Sequence, residues 1–130
     1  MPRTPLTAKQ IGAFREELCV AAVRLFAKRG YDGVTLRGLA DELGCSAMTP
    51  YRYFRDKAEI FAAVRAASFE RFAAAQERAF RSTEAPLARL RAIADAYLTF
   101  AEREPDAYRI MFEMSREDDG GSAAVHAAAQ

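Results

Sequence analysis

Residues 35–46 read TLRGLADELGCS, an amphipathic run between a capping residue and a glycine turn. Thr35 is a favoured N-cap residue, because its hydroxyl can accept a hydrogen bond from an unpaired backbone N–H of the first helical turn. The apolar side chains recur at spacings of three and four residues and share one helical face: Leu36, Leu39, Ala40 and Leu43. Gly44 suits the position just after a helix. The pattern therefore predicts a short helix that ends at Leu43.

A further short helix is predicted directly after this one. Only Gly44 and Cys45 separate the helix that ends at Leu43 from Ser46, a natural N-cap. The new helix is expected to run from Ser46 to about Phe54. Ala40 and Gly44 have the spacing of a helix-turn-helix, with a small residue where the helices touch and a glycine at the turn. Pro50 lies four residues after the cap, where it removes only the first backbone bond. It should shorten this helix without preventing it.

The rest of the chain also shows helical periodicity, and we predict an all-α fold in which a three-helix bundle with the helix-turn-helix is followed by further helices. A capping box at Thr7 opens the first helix of the chain, and Gly30 ends it. An aspartate version of the box at Asp56 opens the fourth and longest helix, which is expected to reach about Phe80.

Two more helices are predicted before the composition changes. A fifth begins near Pro86 and ends at Glu104, which precedes a proline. Asp106 is expected to cap a sixth helix that ends near Met114. Residues 115–130 combine acidic residues, two glycines and an alanine-rich end with little apolar surface to bury. We expect this tail to be weakly ordered.

Composition excludes several classes of protein. The chain has 130 residues, of which 51% are hydrophobic and 28% charged, as in an ordinary globular domain. Uncharged stretches are far shorter than the roughly 18 apolar residues of a membrane span. Residues 1–10 have no apolar core or cleavage site, so we expect no secretory signal and a cytoplasmic location.

The residues that most often carry catalysis or bind metals are scarce. Cys19 and Cys45 lie in apolar patterns and are expected to be buried, reduced core residues. The single histidine, His126, lies near the end of the sequence, so neither a four-ligand zinc site nor a Cys/His nucleophile pair can be assembled. No carboxylate pair lies beside a histidine or a glycine-rich phosphate loop. We therefore expect no enzyme, no cofactor and no metal.

The charge is distributed unevenly along the chain. The net charge is +1, but residues 1–57 carry +4 and residues 58–130 carry −3. An excess of positive charge in one half favours an anionic partner for that half.

Four short motifs lie within the predicted helix-turn-helix or next to it. They are Leu25–Tyr31 (LFAKRGY), Thr35-Leu36-Arg37, Gly44-Cys45-Ser46 with Thr49, and Tyr51-Arg52-Tyr53-Phe54 followed by Asp56-Lys57. Together they resemble the DNA-binding domain of TetR-family transcriptional regulators over roughly residues 10–64. The resemblance implies a sequence-specific DNA-binding regulator, most often a repressor, that a small hydrophobic ligand releases from a palindromic operator. It also implies a homodimer in the full-length form.

Ten side chains are the candidate DNA contacts: Thr35, Arg37, Ser46, Ala47, Met48, Thr49, Tyr51, Arg52, Tyr53 and Lys57. A short recognition helix presents its first two turns to a major groove about 12 Å wide. There Thr49 can hydrogen-bond a base edge, Ala47 and Met48 can contact a thymine methyl, and tyrosine hydroxyls can reach phosphates. Two basic residues alone would usually be solvated surface charges. The position of Arg37 and Lys57 around a helix-turn-helix favours phosphate contacts instead.

The second half of the sequence matches the family less specifically. The resemblance implies a ligand pocket there, and the candidate lining residues are Tyr97, Phe100, Tyr108, Met111 and Phe112. Aromatic residues and methionines at helical spacing are also the usual content of a core. The family's later helices have no counterpart after Ser115, so we expect a fragment or an abbreviated member.

The predicted organisation has three parts. Residues 8–61 form the DNA-binding domain, 62–114 a partial ligand-binding and dimerisation region, and 115–130 the tail. The alternative function is a helical module that binds other proteins through the same fold, without specific DNA binding. Positive charge around the predicted recognition helix favours the regulator.

Overall fold

A computed structural model of the protein describes residues 7–114, in which helices are joined by short turns and loops and no β-strand occurs. The predicted all-α class is confirmed. The helices are α1 (Ala8–Arg29), α2 (Leu36–Leu43), a 3-10 helix (Thr49–Arg52), α3 (Lys57–Arg81), α4 (Pro86–Arg103) and α5 (Pro105–Phe112). The chain divides between Val64 and Arg65 into two compact units, which we call the N-terminal and the C-terminal unit. The predicted tail, 115–130, lies outside the described residues.

The ends of α1 and α2 are fixed by the caps that the sequence predicts. The Thr7 hydroxyl accepts a hydrogen bond from the Gln10 N–H at 3.2 Å, and the Gln10 side chain accepts one from the Thr7 N–H at 2.9 Å. The Thr35 hydroxyl accepts one from the Gly38 N–H at 2.9 Å. Gly44 adopts φ 67°, the left-handed region that residues with a Cβ rarely occupy. Both helices therefore have their predicted bounds.

The third predicted helix is wrong in type and extent. An α-helix was expected from Ser46 to Phe54, whereas the structure has a four-residue 3-10 helix, Thr49–Arg52. Pro50 has no N–H with which to close an α-helical bond. The Tyr51 N–H instead donates to the Met48 carbonyl, three residues back, at 3.2 Å. The Ser46 hydroxyl still accepts a hydrogen bond, from the Met48 N–H at 3.3 Å, but it caps the turn and not a helix.

The N-terminal unit packs around the inner faces of α1, α2 and the first turns of α3. Its least exposed side chains are Leu18, Ala22, Phe26, Leu39, Ala40 and Ile60. The Phe61 ring meets the rings of Phe26 and Tyr31 edge to face, at centroid distances of 5.1 and 5.2 Å. This aromatic contact fixes α3 against the end of α1.

The two cysteines are free, as predicted, but neither is fully buried. Burial raises the pKa of the Cys19 thiol, although the positive charge of Arg15 acts in the opposite direction. Cys19 lies next to the fully buried Leu18 and therefore at the edge of the core face of α1. The expectation of complete burial was wrong because one helical step, about 100°, turns a side chain away from the core.

The C-terminal unit contains α4, α5 and the larger part of α3. Phe100, Ala107 and Met111 are buried, and Phe72 of α3 packs against them. The prediction that Asp106 caps α5 is wrong. The helix begins at Pro105, one residue before Asp106, and its N-cap residue is Glu104. Proline is favoured at a first helical position, where its missing N–H would be unpaired in any case. Within residues 7–114, no helix has both the length and the apolar character needed to cross a membrane.

Candidate nucleic-acid interface and ligand cluster

The candidate DNA contacts lie on three consecutive pieces of the N-terminal unit. Thr35 and Arg37 are at the start of α2, Lys57 is at the start of α3, and the other seven lie on the turn and the 3-10 helix between them. We call residues 46–53 the reading segment. Pro50, at its centre, is buried. The segment is thus anchored in the middle, with side chains on both sides of the anchor.

Most side chains of the reading segment point to solvent. Met48 is 66% exposed and Tyr51 is 50% exposed, and Ser46, Ala47 and Arg52 are also exposed. Thr49 is half-buried. Large apolar and aromatic side chains are normally packed away from water, so their exposure here leaves a surface suited to contact with another molecule.

Tyr53 differs from Tyr51 in its surroundings. Its ring lies 5.1 Å from the ring of Phe14 on α1, and the residue is half-buried. The ring thus contributes to packing, which leaves the hydroxyl as the part suited to a phosphate.

Lys57 has a structural partner that the sequence did not reveal. Its ammonium donates a hydrogen bond to the Tyr31 carbonyl at 3.0 Å and lies 4.3 Å from the centre of the Tyr31 ring. An ammonium has three N–H donors, so one such bond is compatible with a phosphate contact. Tyr31 was visible in the motif LFAKRGY, but its distance of 26 residues from Lys57 hid the contact.

The side chains predicted to line a ligand pocket come together in the C-terminal unit. The four aromatic ones and two phenylalanines of α3 form what we call the aromatic cluster: Phe69, Phe72, Tyr97, Phe100, Tyr108 and Phe112. The Phe72 ring meets the rings of Tyr97, Phe100 and Phe112 at 5.7, 5.3 and 5.7 Å, each edge to face. Met111 is buried beside them, while Phe112 is 47% exposed.

One polar contact lies within the aromatic cluster. The hydroxyls of Tyr97 and Tyr108 are hydrogen-bonded at 2.7 Å. This hydrogen bond raises the pKa of Tyr108. The pair offers a donor and an acceptor among apolar rings, which is the usual composition of a small-molecule site. Among residues 7–114, no three histidine, cysteine or carboxylate side chains are grouped so as to hold a metal ion.

Most of the N-terminal unit matches a known protein family. The family model described as bacterial regulatory proteins, tetR family, matches residues 18–64, which include α2, the reading segment and the start of α3. This chain belongs to the TetR family. The predicted resemblance is thereby confirmed.

Relatives of this TetR-family chain extend the similarity beyond the N-terminal unit. It is 32% identical over 99 residues to the transcriptional activator FasR of Mycolicibacterium smegmatis, covering 76% of this chain and 45% of FasR. It is 35% identical over 78 residues to the transcriptional repressor Rv1474c of Mycobacterium tuberculosis, covering 60% of this chain and 41% of that protein. The chain thus spans less than half of either relative.

A solved structure matches nearly the whole TetR-family chain in fold. The crystal structure of a TetR-like transcriptional regulator from Rhodococcus sp. RHA1 superimposes with a TM-score of 0.76 at 23% identity. The match covers 98% of this chain and 66% of that one. The helices of the C-terminal unit therefore follow the fold of a TetR-like regulator as well.

Proposed function

We propose that this protein is a transcriptional regulator that binds double-stranded DNA at a specific sequence through the reading segment. The supporting observation is the exposure of Met48 and Tyr51 on either side of the buried Pro50, directly after the helix-turn-helix glycine. Arg37 and Arg52 are exposed on the same unit. Exposed apolar and aromatic side chains flanked by cations suit a groove lined by phosphates.

The side chains divide into two roles in this proposal. Thr49 hydrogen-bonds a base edge, and Ala47 and Met48 contact thymine methyl groups. Arg37, Arg52, Lys57 and the tyrosine hydroxyls hold phosphates and so fix the position of the segment on the duplex.

Thr49→Ala is expected to relax sequence preference at one base pair by about 1–3 kcal/mol, because a lost base-edge hydrogen bond affects one position only. Selection from random duplexes with the purified protein would provide the operator, and affinities for that operator and its single-base variants would measure the effect. Equal losses on specific and random DNA would make Thr49 a positioning contact. If selection enriches no sequence at all, the protein-binding alternative replaces the proposal.

We also propose that the active form binds a palindromic operator as a homodimer. One short segment reads only a few base pairs, and specificity comes from two copies about 34–36 Å apart on one face of the DNA. Exposed leucines on α4 are available for association: Leu87, Leu90 and Leu98 are 83%, 65% and 60% exposed. Because the chain spans 45% and 41% of the two relatives named above, we expect either that these residues support weak association only, or that the chain is part of a longer one that dimerises well.

Sedimentation at micromolar concentration, with and without the selected operator, would measure this association. We expect a weak dimer that binds the palindrome poorly. A tight dimer with nanomolar operator affinity would contradict the expected weakness. A monomer that binds single half-sites with full specificity would contradict the two-copy proposal.

The proposed signal is a small hydrophobic ligand that enters the aromatic cluster and releases the repressor from DNA. The rings contact one another edge to face, so a ligand would have to separate them, and the Tyr97–Tyr108 pair would supply its polar partner. We expect the dye anilinonaphthalene sulfonate, whose aromatic rings carry one negatively charged sulfonate, to bind, and to bind more weakly to Tyr108→Ala. Phe80→Ala, which removes an exposed ring outside the cluster, is the control. Equal dye binding by all three proteins would argue against a site in this cluster.

A further inference from the structure

A shallow groove runs between α1 and the C-terminal end of α2, within the N-terminal unit. Its walls include Ala13, Glu16, Glu17, Val20, Glu42 and Leu43. Val20 is 67% exposed, although a branched aliphatic side chain on a helix is usually packed. The groove therefore offers apolar surface to solvent at a place that the core of the unit does not use.

The charges around this groove are mainly negative. Glu16, Glu17 and Glu42 line it with one cation, Arg24, which is paired with Glu42. Glu42 lies in the last turn of α2, where a carboxylate is unfavourable beside the negative end of the helix dipole. Its exposed ion pair with Arg24 contributes little to stability. Helix stability alone does not explain an acidic residue at this position.

The groove is unsuited to DNA, since carboxylates repel phosphates. It is also separated from the candidate DNA contacts on α2. Arg37 lies near the start of that helix and Glu42 near its end. The two ends of this eight-residue helix are about 12 Å apart. The start of α2 thus carries an exposed cation, whereas its end contributes Glu42 to the acidic groove.

We propose that this groove is a docking site for a basic amphipathic segment of another protein. An aliphatic side chain of the partner packs on Val20, with the small Ala13 allowing close approach, and lysine or arginine side chains on either side pair with Glu16 and Glu17. Apolar anchors set in a groove and flanked by complementary charges are a recurring mode of peptide recognition. The groove is small, so the contact is of the weak, transient kind. This function is independent of the proposed reading of DNA.

Selection from a displayed library of random 12-residue peptides would test the proposal directly. Wild-type protein is expected to enrich peptides with net positive charge and an aliphatic residue between basic ones. The groove variant Glu16→Gln/Glu17→Gln/Val20→Gln is expected to bind these peptides at least tenfold more weakly. The matched control Glu70→Gln/Glu77→Gln/Phe80→Gln removes two exposed carboxylates and an exposed apolar side chain from α3, and it is expected to bind them like the wild type.

Three results would overturn the proposal: enrichment of peptides without basic residues, equal binding by the groove variant, or equal loss in the control. Circular dichroism melting would check that each variant is folded. If the groove variant does not fold, Glu17→Lys with charge-reversed peptides provides the same test. That pairing should restore binding, and a failure to restore it would count against charge complementarity. Operator affinity of the groove variant would show whether DNA reading is separate, as expected.

Discussion

Phe61→Ala is expected to lower the free energy of unfolding of the N-terminal unit by about 3–5 kcal/mol, the usual cost of deleting a buried aromatic ring. Phe61 is 2% exposed and its ring contacts those of Phe26 and Tyr31. The deletion leaves a cavity between α1 and α3 and also removes a ring that packs against the Tyr31 ring; the carbonyl of Tyr31 accepts the Lys57 hydrogen bond. The loss is a large part of the stability of a small domain.

Urea denaturation followed by circular dichroism would measure this change. Phe80→Ala is the matched control, because Phe80 lies on the same helix but is 48% exposed. Its ring lies 4.0 Å from the Arg89 guanidinium, a contact worth about 0.5–1 kcal/mol at an exposed site. A loss for Phe61→Ala no larger than that for Phe80→Ala would show that the aromatic contact between α1 and α3 is not central to the fold.

The double variant Arg37→Ala/Arg52→Ala is expected to lower the salt dependence of DNA binding by about 1.8 units of slope. Each phosphate contact releases counterions and contributes about 0.9 to the slope of log affinity against log salt concentration. Affinity should fall on operator and random DNA alike, because phosphate contacts carry no sequence information. Both side chains are exposed, so the fold should be unaffected.

Fluorescence anisotropy with labelled duplexes at several salt concentrations would measure the slope. The control Arg91→Ala/Arg103→Ala removes two exposed arginines from α4, outside the N-terminal unit, and should leave the slope unchanged. An unchanged slope in the first variant would remove these arginines from the DNA interface. An equal decrease in both variants would indicate a general effect of net charge.

The sequence predicted α1 and α2 well because both ends of each helix are set by local chemistry. A capping hydroxyl or a positive-φ glycine acts within four residues, so short patterns reveal it. The predicted third helix is wrong because Pro50 does more than remove one backbone bond. In the structure the residues around Pro50 form hydrogen bonds between residues three apart, as in a 3-10 helix. This helix has only four residues, Thr49–Arg52, and includes the buried Pro50.

The sequence indicates which elements carry the candidate DNA contacts, but not the contacts that these residues make within the protein. The positions follow from the spacing of the helix-turn-helix, which is local. The Lys57–Tyr31 and Tyr53–Phe14 contacts join distant parts of the chain, and no periodicity encodes them. The same holds for the groove beside Val20, which exists only once α1 and α2 have packed together.

The arrangement of the reading segment has a consequence for how such a protein can evolve. Pro50 and Phe54 are buried and hold the segment in place, whereas Met48 and Tyr51 are exposed. Substitutions at exposed positions usually alter stability by no more than about 0.5 kcal/mol. Under the proposed mode of DNA binding, a duplicated gene can therefore acquire a new DNA preference through a few changes at the exposed positions, while the buried anchors preserve the scaffold.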